Sequence, residues 1–358
     1  MKLKIILYID VMYRGGAQRV MSVLAHYLIK NNYEVILITD FMPENPSKEY
    51  NLPQQIKRIY LKKNNTGNFL IKNITRVTKL RKIIKEENPD IILSFLGRPN
   101  IRMLLSSIGL KVKKVVSVRN DPTKEYGNNI LKRIITNLIF LLADGYVFQT
   151  VDAQKYFIKK IQKKSKIILN PVDDKFYNMK PVKNRHNIIT IGRLEPQKNH
   201  KLLLDAYAEI AQKYLQDDLI IYGDGSLKKE LENYALKKNI YERVHFRGNI
   251  ENIEKELSKA KVFILTSDYE GMPNALMEAM AIGVACISTD CPCGGPRALI
   301  KNNSQGIMFP CNDKNKLIAA IKKVLDGNFT EMGINAKLRA EEFRTSKIMK
   351  EWEEYLFK

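Results

Sequence analysis

Short apolar runs alternate along the chain with longer amphipathic stretches of helical length, such as residues 17–30 and 200–214. The apolar runs predict strands at 4–9, 34–39, 90–95, 114–118, 145–149, 166–169, 187–191, 218–222, 243–246, 261–265, 285–289 and 306–309. Apolar strands that alternate with helices are typical of βαβ units, in which helices cover both faces of a parallel sheet. We therefore predict an α/β protein with two Rossmann-like, doubly wound parallel sheets.

The chain length and one break in the pattern predict two domains. A length of 358 residues suits two domains of roughly 150 residues or more. Periodicity lapses at 170–181, where proline and polar residues cluster. We predict an N-terminal domain at 1–172, a C-terminal domain at 173–338 and a final helical segment at 339–358. Ligands of open parallel sheets bind at the carboxyl ends of the strands, so a cleft between the two domains is the expected site.

Composition excludes several classes of protein. Hydrophobic residues make up 45% of the chain and charged residues 27%, which excludes a disordered or fibrous chain. No apolar run approaches the roughly 18–20 residues that span a bilayer. Residues 4–9 lead directly into Asp10 without a small-residue cleavage site, so we interpret them as a strand and not as a signal peptide. Four late cysteines are too few for a secreted disulfide framework, and we expect a cytoplasmic protein.

The positive charge is concentrated in the first half. Residues 1–180 contain 33 Lys and Arg against 14 Asp and Glu, whereas the remainder contains 27 against 24. A field of that sign attracts phosphate-rich partners such as nucleic acid, anionic lipid or a phosphorylated small molecule. The alternative is an AT-rich genome that over-uses lysine. That bias should affect both halves, so the asymmetry argues against it as the whole explanation.

The segment 267–278 carries the most specific candidate chemistry. It follows the predicted strand 261–265, and Gly271 allows a close backbone approach. Pro273 suits the first position of a helix, where its missing N–H costs nothing. The free amides and positive dipole end of that helix would then point at the strand-end crevice, an arrangement that suits a diphosphate.

Two carboxylates flank this predicted helix start. Glu270 precedes it and Glu278 lies within the helix. A carboxylate only accepts hydrogen bonds, so each suits a sugar hydroxyl: one a hexose, the other a ribose. The alternative is structural, because an acidic residue near a helix start stabilises the helix dipole and Glu278 could lie on a solvated face.

The same segment resembles the E-x7-E motif of retaining glycosyltransferases of family four, which have the GT-B fold of two Rossmann-like domains. Matching pieces fall in the family's order over nearly the whole chain: Gly15-Gly16, 192–199, 223–225, 279–281 and 288–292. The resemblance implies an N-terminal acceptor-binding domain, a C-terminal nucleotide-sugar-binding domain and a final segment that packs back towards the N-terminal domain. It also implies that no metal or other cofactor is needed beyond the nucleotide-sugar substrate, which we expect to be a UDP-sugar.

The resemblance also implies roles for individual residues. Glu270 would contact the donor sugar, and Arg193 and Lys198 would neutralise the departing diphosphate; the alternative for the two cations is ordinary surface charge. These three are the predicted catalytic residues. The predicted donor-binding residues are Gly15, Gly16, Gly192, Gly223, Gly248, Gly271, Met272, Pro273, Asn274 and Glu278.

One loop departs from the family's pattern. Many relatives carry a histidine after a central strand of the first domain, where this chain has 117–122 without one. Arg119 and Asn120 are the acceptor-side candidates there. The four histidines are not spaced as ligands, and Cys291 and Cys293 lack the partners of a zinc site, so we predict no metal site.

Two basic stretches suggest a membrane surface. Residues 69–86 and 156–166 are rich in Lys and Arg, and the first has apolar residues at helical spacing. Its apolar side is expected in the core, and its basic side could rest on anionic lipid. The cations of the first stretch are Lys72, Arg76, Lys79, Arg81, Lys82 and Lys85. We expect peripheral attachment to the inner face of the cell membrane.

The sequence therefore predicts a retaining glycosyltransferase. It would move a hexose or N-acetylhexosamine from a nucleotide sugar to a glycan or a polyprenyl-diphosphate-linked sugar, in surface polysaccharide or glycan biosynthesis. One alternative is a nucleotide-sugar 2-epimerase of the same architecture, which would consume donor without an acceptor. Another is a basic nucleic-acid-binding protein, although the chain lacks recognisable nucleic-acid modules, and we expect no specific nucleic-acid partner.

Overall fold

A computed structural model describes residues 2–13, 15–62 and 69–357, except the side chains of residues 62 and 69–72. The chain divides into two compact units. The first comprises Met1–Pro171 and Ile348–Lys358, and the second comprises Val172–Lys347. Over the described residues, no helix combines the length and apolar character needed to cross a membrane.

The first unit is built on a parallel sheet whose described strands follow the order β3-β2-β1-β4-β5-β6-β7. Its elements are β1 (Lys4–Ile9), α1 (Gly16–Lys30), β2 (Glu34–Phe41), β3 (Lys57–Lys62), α2 (Phe69–Glu87), β4 (Ile91–Phe95), α3 (Gly97–Ser106), β5 (Lys113–Ser117), α4 (Pro122–Tyr126), α5 (Ile130–Phe140), β6 (Gly145–Phe148), α6 (Val151–Lys155), α7 (Lys159–Lys163) and β7 (Ser165–Ile167). The central strand β1 pairs with both β2 and β4, and its side chains from Ile5 to Ile9 are buried. Such burial on both faces explains its continuous apolar run.

Strand β3 was not predicted from the sequence. Its residues, KRIYLK, mix charged and apolar side chains because it lies at the edge of the sheet and pairs only with β2 among the described strands. An edge strand needs no continuous apolar run, and charged side chains there discourage pairing with another chain. The pattern that marks buried strands therefore does not mark this one.

The second unit has the same class of architecture, with described strands in the order β10-β9-β8-β11-β12-β13. Its elements are α8 (Asp174–Asn178), β8 (His186–Ile191), α9 (His200–Ala208), β9 (Leu219–Tyr222), α10 (Lys228–Lys237), β10 (Val244–Gly248), α11 (Ile253–Leu257), β11 (Ala260–Leu265), α12 (Asn274–Ile282), β12 (Ala285–Thr289), α13 (Gly295–Leu299), β13 (Ile307–Phe309), α14 (Lys314–Leu325) and α15 (Phe329–Ala340). All strand pairs in both units are parallel. The predicted fold class, two doubly wound parallel sheets, is confirmed.

The last helix, α16 (Thr345–Phe357), begins five residues after α15 ends. From Ile348 onward it belongs to the first unit, where Trp352 is fully buried and its ring stacks on Phe95 with 5.6 Å between centroids. The Tyr355 hydroxyl accepts from the Tyr146 amide at 2.7 Å. The C-terminus is thus an integral part of the first unit's core.

Two predicted helical stretches are longer than the helices in the structure, and a third matches its helix but not in the exposure of one cation. The stretch 200–214 forms a helix only to Ala208. The stretch 156–166 contains only the five-residue helix α7, because Ser165–Ile167 pairs with β6 as an edge strand. In α2, which matches the predicted stretch 69–86 closely, Arg76 is buried and not on a basic solvated side, with Nη1 3.7 Å from Oδ2 of Asp40. The side chain of Lys72 lies outside the described residues.

Candidate active site

Strand ends of the second unit bring most of the predicted donor residues to one edge. Gly248 ends β10, Gly223 follows β9, and Gly192 follows β8. Residues 266–270 follow β11, the next strand in the sheet. Because all of these strands are parallel, their carboxyl ends meet along a single edge, where open α/β sheets bind ligands.

Gly192, Gly223 and Gly248 allow the main chains of adjacent loops to lie in direct contact. The Gly223 amide donates to the Gly248 carbonyl at 2.9 Å. Gly223 has φ +130°, and a Cβ added to it would lie 1.9 Å from the Gly192 oxygen. Position 223 therefore requires glycine both for its backbone angle and for the space. The resulting surface presents main-chain groups without side chains, which permits a close approach by a ligand.

Lys198 lies beside Gly192 at this edge. A Cβ on Gly192 would lie 3.3 Å from the Cδ and Cε atoms of the lysine, so the missing side chain leaves the path of the lysine stem open. The Lys198 backbone is held in place by Thr266, whose hydroxyl donates to the Lys198 carbonyl at 2.9 Å. The main chain of the lysine is thereby fixed, and its side chain has room to pass Gly192.

Lys198 and Glu270 form an ion pair, with Nζ 2.5 Å from Oε1. The same carboxylate oxygen accepts from the Ser267 hydroxyl at 2.7 Å. The Ser267 carbonyl in turn accepts from Thr289 Oγ1 at the end of β12, also at 2.7 Å. The Glu270 side chain is 9% exposed, so this charge-assisted contact is largely shielded from solvent.

Further hydrogen bonds join the loop after β8 to the loop after β11. The Asp268 amide donates to the Gln197 carbonyl at 2.9 Å, and Gln197 Nε2 donates to the Tyr269 carbonyl at 2.8 Å. Asn199 Nδ2 donates to Asp268 Oδ1 at 2.9 Å. Such mutual support lets the loops hold charged side chains in a fixed geometry before any ligand arrives.

The helix start after Glu270 differs by one residue from the prediction. Pro273 is not the first helical residue: its ψ of 100° is extended, and it caps α12, which begins at Asn274. The Pro273 carbonyl accepts from the Met277 amide at 3.2 Å as the first bond of the helix. The first-turn amides still lack intrahelical acceptors and point towards the N-terminal side, as an anion site requires.

Gly271 and Met272 lie in the loop before this helix. Gly271 and Met272 are buried, and a Cβ on Gly295 would lie 1.9 Å from the Gly271 oxygen. The loop is therefore clamped against the start of α13. Glu278, in the second turn of α12, is buried as well, with 7% of its surface exposed. Neither Glu270 nor Glu278 lies on a solvated face.

Arg193 is exposed, in contrast to Lys198. Its carbonyl oxygen lies 3.3 Å from Nε2 of the buried His200. Burial lowers the pKa of His200 to about 4, so the imidazole is neutral at neutral pH and supports the Arg193 backbone without adding charge. The guanidinium itself is available to a ligand from solvent.

The remaining predicted donor residues lie in the first unit. Gly15 precedes α1 as its cap and Gly16 is the first residue of the helix. Gly15 has φ −165°, an ordinary extended conformation. The two glycines follow β1 at the carboxyl edge of that sheet. Their predicted contact with the donor stays a prediction.

The two acceptor-side candidates differ in exposure. Arg119 is buried, its guanidinium donates to Asn170 Oδ1, and it lies over the Phe95 ring at 5.1 Å from the centroid. Burial lowers the pKa of Arg119 to about 9. Asn120 is partly exposed. Their role towards an acceptor stays a prediction, with Asn120 the more accessible of the two.

Sequence reasoning missed Glu125, which lies in α4 close to Gly97: a Cβ on Gly97 would be 3.3 Å from Cβ of Glu125. Burial, with the charges of Asp10 and Asp121, raises the pKa of Glu125 to about 8. A carboxyl group that is protonated at neutral pH at the carboxyl edge of a sheet is a functional candidate. The Asp121-Pro122 pair marks the helix start, but nothing in the sequence marks the burial.

A buried polar cluster near the ends of β1 and β2 was also missed. The Tyr8 hydroxyl donates to Asp40 Oδ1 at 2.7 Å, and Arg102 is ion-paired with the same carboxylate. All three side chains are buried. The sequence shows their charges but not that the strand ends converge on one point.

Among the residues that the structure describes, no three or more His, Cys, Asp or Glu side chains are placed to hold a metal ion. Cys291 and Cys293 are buried, and neither forms a disulfide bond. Burial and the nearby charge of Glu270 raise the pKa of Cys291 to about 12, so this thiol stays protonated.

The two units match two family models. Residues 14–176 match the model described as Glycosyltransferase Family 4, and residues 173–341 match the model described as Glycosyl transferases group 1. A similar protein is the GalNAc-α-(1→4)-GalNAc-α-(1→3)-diNAcBac-PP-undecaprenol α-1,4-N-acetyl-D-galactosaminyltransferase of Campylobacter jejuni. It is 32% identical over 359 residues, which cover 98% of this chain and 97% of the relative.

Solved structures show the same fold. Sucrose-phosphate synthase of Thermosynechococcus elongatus has a TM-score of 0.84 and 18% identity, covering 99% of this chain and 98% of its own. Anabaena HepE in complex with UDP and glucose has a TM-score of 0.82 and 17% identity, covering 99% of both chains. The protein is therefore an enzyme with the GT-B fold. It belongs to the glycosyltransferases whose two domains are of the family 4 and group 1 types, as the sequence motifs predicted.

Proposed function

We propose that this glycosyltransferase moves a hexose or N-acetylhexosamine from a UDP-sugar to a polyprenyl-diphosphate-linked sugar, with retention of the anomeric configuration. The Campylobacter relative is named for such a lipid-linked acceptor and for an α-1,4 linkage. The Anabaena structure holds UDP and glucose on the same fold. Glycan or surface polysaccharide biosynthesis is the pathway class that such a reaction serves.

The Lys198–Glu270 pair is the observation that carries the proposal. It sets a cation and a carboxylate side by side at the strand edge, 2.5 Å apart and shielded from solvent. In the donor complex Lys198 would turn to the diphosphate, and Glu270 would accept from a hydroxyl of the sugar. One end of the pair thus suits the leaving group, and the other suits the group that is transferred.

The transfer step needs a hydroxyl nucleophile and stabilisation of the departing charge. The bond between the anomeric carbon and the diphosphate oxygen breaks, and its electron pair stays on the phosphate. The acceptor hydroxyl oxygen forms a bond to the same face of the anomeric carbon. Its proton passes to the departing phosphate oxygen, so the products are the elongated glycan and UDP.

Lys198, Arg193 and the first-turn amides of α12 would stabilise the charge that develops on the diphosphate. Preorganised donors of this kind are often the largest single contribution to catalysis. We propose that they perform the role a divalent cation has in other transferases. Glu278, buried in the second turn of α12, is the proposed partner of the ribose hydroxyls.

The proposed acceptor places the enzyme at a membrane. A sugar on a polyprenyl diphosphate is held at the lipid surface, and the first 180 residues carry most of the chain's excess positive charge. We propose peripheral binding to the anionic inner face of the cell membrane, where electrostatic attraction would keep the enzyme near its acceptor.

A transfer assay with radiolabelled UDP-sugars tests the proposal. The purified enzyme is incubated with each UDP-sugar, with and without a synthetic polyprenyl-diphosphate disaccharide, and organic-phase label is counted. We expect acceptor-dependent label from at least one donor, with α configuration in the product by NMR. Isomerised UDP-sugar without acceptor would instead support the epimerase alternative. An inverted product, or label that needs no lipid-linked acceptor, would contradict the proposal.

A further inference from the structure

Helix α5 of the first unit carries an aliphatic stripe on its solvent side. The stripe continues through Leu141 and Leu142, the two residues that follow the end of the helix at Phe140. Its side chains are between 36% and 80% exposed: Ile130, Leu131, Ile134, Ile135, Leu138, Leu141 and Leu142. Their spacing of three and four residues places them on one helical face. A contiguous exposed apolar face of this kind marks an interaction surface, whereas single exposed leucines do not.

The inward face of α5 is anchored and partly polar. Phe140 is fully buried and stacks on Phe157, with 4.8 Å between ring centroids. Thr136 and Asn137 are buried beside it. Asn137 Oδ1 accepts from the Ile158 amide at 2.8 Å, and its Nδ2 donates to the Arg133 carbonyl at 2.8 Å. Rotation of the helix to bury the stripe would break the bond from the Ile158 amide to Asn137 and remove Phe140 from Phe157, so the aliphatic face is held outward.

A cationic segment is hydrogen-bonded to α5. Arg133 Nε donates to the Tyr156 carbonyl at 2.7 Å and Nη2 donates to the Lys155 carbonyl at 3.1 Å, which ties α5 directly to the segment 155–164. Residues 151–166 contain six lysines and one acidic residue, Asp152. The exposed lysines of the segment are Lys155, Lys159, Lys160, Lys163 and Lys164.

We propose that α5 is the membrane-docking element of this enzyme: its aliphatic stripe inserts into the acyl boundary of an anionic bilayer while the adjoining lysines contact lipid phosphates. An amphipathic helix that lies in the interface buries its apolar face to a depth of about 5–10 Å and gains electrostatic attraction from basic neighbours. The inference rests on the proposed lipid-linked acceptor for its purpose, but its geometry stands without it.

The positive charge near α5 favours a membrane over a second copy of the chain as the partner that covers the aliphatic stripe. Two copies that paired through α5 would bring two lysine-rich segments near one another, which is unfavourable. An anionic lipid surface satisfies both the stripe and the lysines at once. The assignment also moves the docking surface from the basic side of α2, which the sequence suggested, to a helix whose exposed face is apolar.

A matched pair of double variants tests the proposal. I134E/L138E places two carboxylates on the stripe, at side chains 52% and 61% exposed. I334E/L338E makes the same two changes, at the same spacing, on the exposed face of α15 in the second unit, at side chains 57% and 66% exposed. Substitutions at exposed positions such as these usually change the free energy of unfolding little, so both variants should fold.

The measurement is co-sedimentation of the enzyme with vesicles of phosphatidylcholine alone or with about 30 mol% phosphatidylglycerol. We expect I134E/L138E to lower partitioning onto anionic vesicles at least about tenfold, because two aliphatic side chains no longer enter the bilayer. We expect I334E/L338E to bind these vesicles like wild type. K159Q/K160Q should weaken binding to anionic vesicles only. UDP binding should be unchanged in all three.

Equal binding of wild type and I134E/L138E would overturn the proposal. So would a wild-type dimer in sedimentation velocity that I134E/L138E converts to monomer, since the stripe would then be an interface between copies. Absence of transfer activity in the wild-type enzyme, together with vesicle binding that I134E/L138E still lowers, would count against the proposed reaction and leave the docking surface standing. The two failures are therefore distinguishable.

Discussion

Lys198 and Glu270 lie 72 residues apart in the sequence, yet the lysine Nζ and the glutamate Oε1 are 2.5 Å apart in the structure. The pair joins the loop after β8 to the loop after β11, two neighbouring strands of one sheet. Because both loops are fixed by further hydrogen bonds, the two side chains already lie side by side at the donor edge before a ligand binds. This contact underlies the proposed catalysis.

Removing either member of the pair should reduce turnover strongly. We expect K198A and E270Q each to lower kcat by roughly 10²–10³-fold, the cost of losing one preorganised electrostatic group. Steady-state kinetics with saturating donor checks this. K213A is the matched control, because Lys213 forms a 2.7 Å ion pair with Asp326 that is exposed to solvent. Near-wild-type kcat for both site variants would remove the pair from the mechanism.

Alanine at position 223 should disrupt the donor edge. The added Cβ meets the Gly192 oxygen at 1.9 Å and the backbone has φ +130°. Strain and overpacking together should cost roughly 2–6 kcal/mol. G109A separates the two effects, since Gly109 has φ +72° but open space around it. Thermal unfolding with and without UDP should show a lower Tm for both variants but a lost UDP-induced shift only for G223A. A normal UDP shift in G223A would contradict the assigned edge.

Glu125 should make stability depend on pH. Its pKa is raised from 4.5 to about 8, mainly by burial, and the negative charges of Asp10 and Asp121 add to the shift. The unfolded chain loses the proton near pH 4.5 while the native state keeps it to about pH 8. The native state therefore binds more protons in this window, and its stability falls as pH rises through it.

The variant E125Q removes this titration. Urea unfolding from pH 5 to pH 9 should show wild type losing stability relative to E125Q by about 1.4 kcal/mol for each pKa unit of difference between the folded and unfolded states. E242Q, at an exposed glutamate, serves as the control and should parallel wild type. If the E125Q and wild-type curves run parallel across this range, Glu125 is ionised in the native state.

The single tryptophan reports on the first unit. Trp352 is fully buried against Phe95, so native emission should be blue-shifted and should move to the red on unfolding. W352A should lower the stability of this unit by about 3–5 kcal/mol, the usual cost of truncating a buried aromatic ring. Circular dichroism of the variant against L236A, an exposed leucine, measures the loss. A W352A protein as stable as L236A would show that α16 contributes little to the core.

Buried elements were predictable from the sequence because burial on two faces leaves a continuous apolar run. Strand β1 at Lys4–Ile9 and strand β12 at Ala285–Thr289 match the predicted bounds at both ends. The edge strand β3 was not predicted because, among the described strands, it has a neighbour on one side only. Its charged residues therefore gave the pattern of a loop.

The site was predictable only as far as its residues lie in recognisable segments. The resemblance identified Lys198 and Glu270 separately, but their contact depends on β8 and β11 being neighbours in the sheet. Glu125 gave no signal, since its raised pKa comes from burial that the folded chain creates. The outward aliphatic face of α5 was equally hidden, because a helical apolar pattern ordinarily predicts a core face.

Calorimetric titration of UDP into the wild-type enzyme, K198A and K213A tests the central claim most directly. We expect wild type and K213A to bind UDP alike, and K198A to bind at least tenfold more weakly, a difference of about 1.4 kcal/mol or more, because its cation no longer meets the diphosphate. UDP binding by K198A as tight as by wild type, or no UDP binding by the wild-type enzyme, would contradict the account.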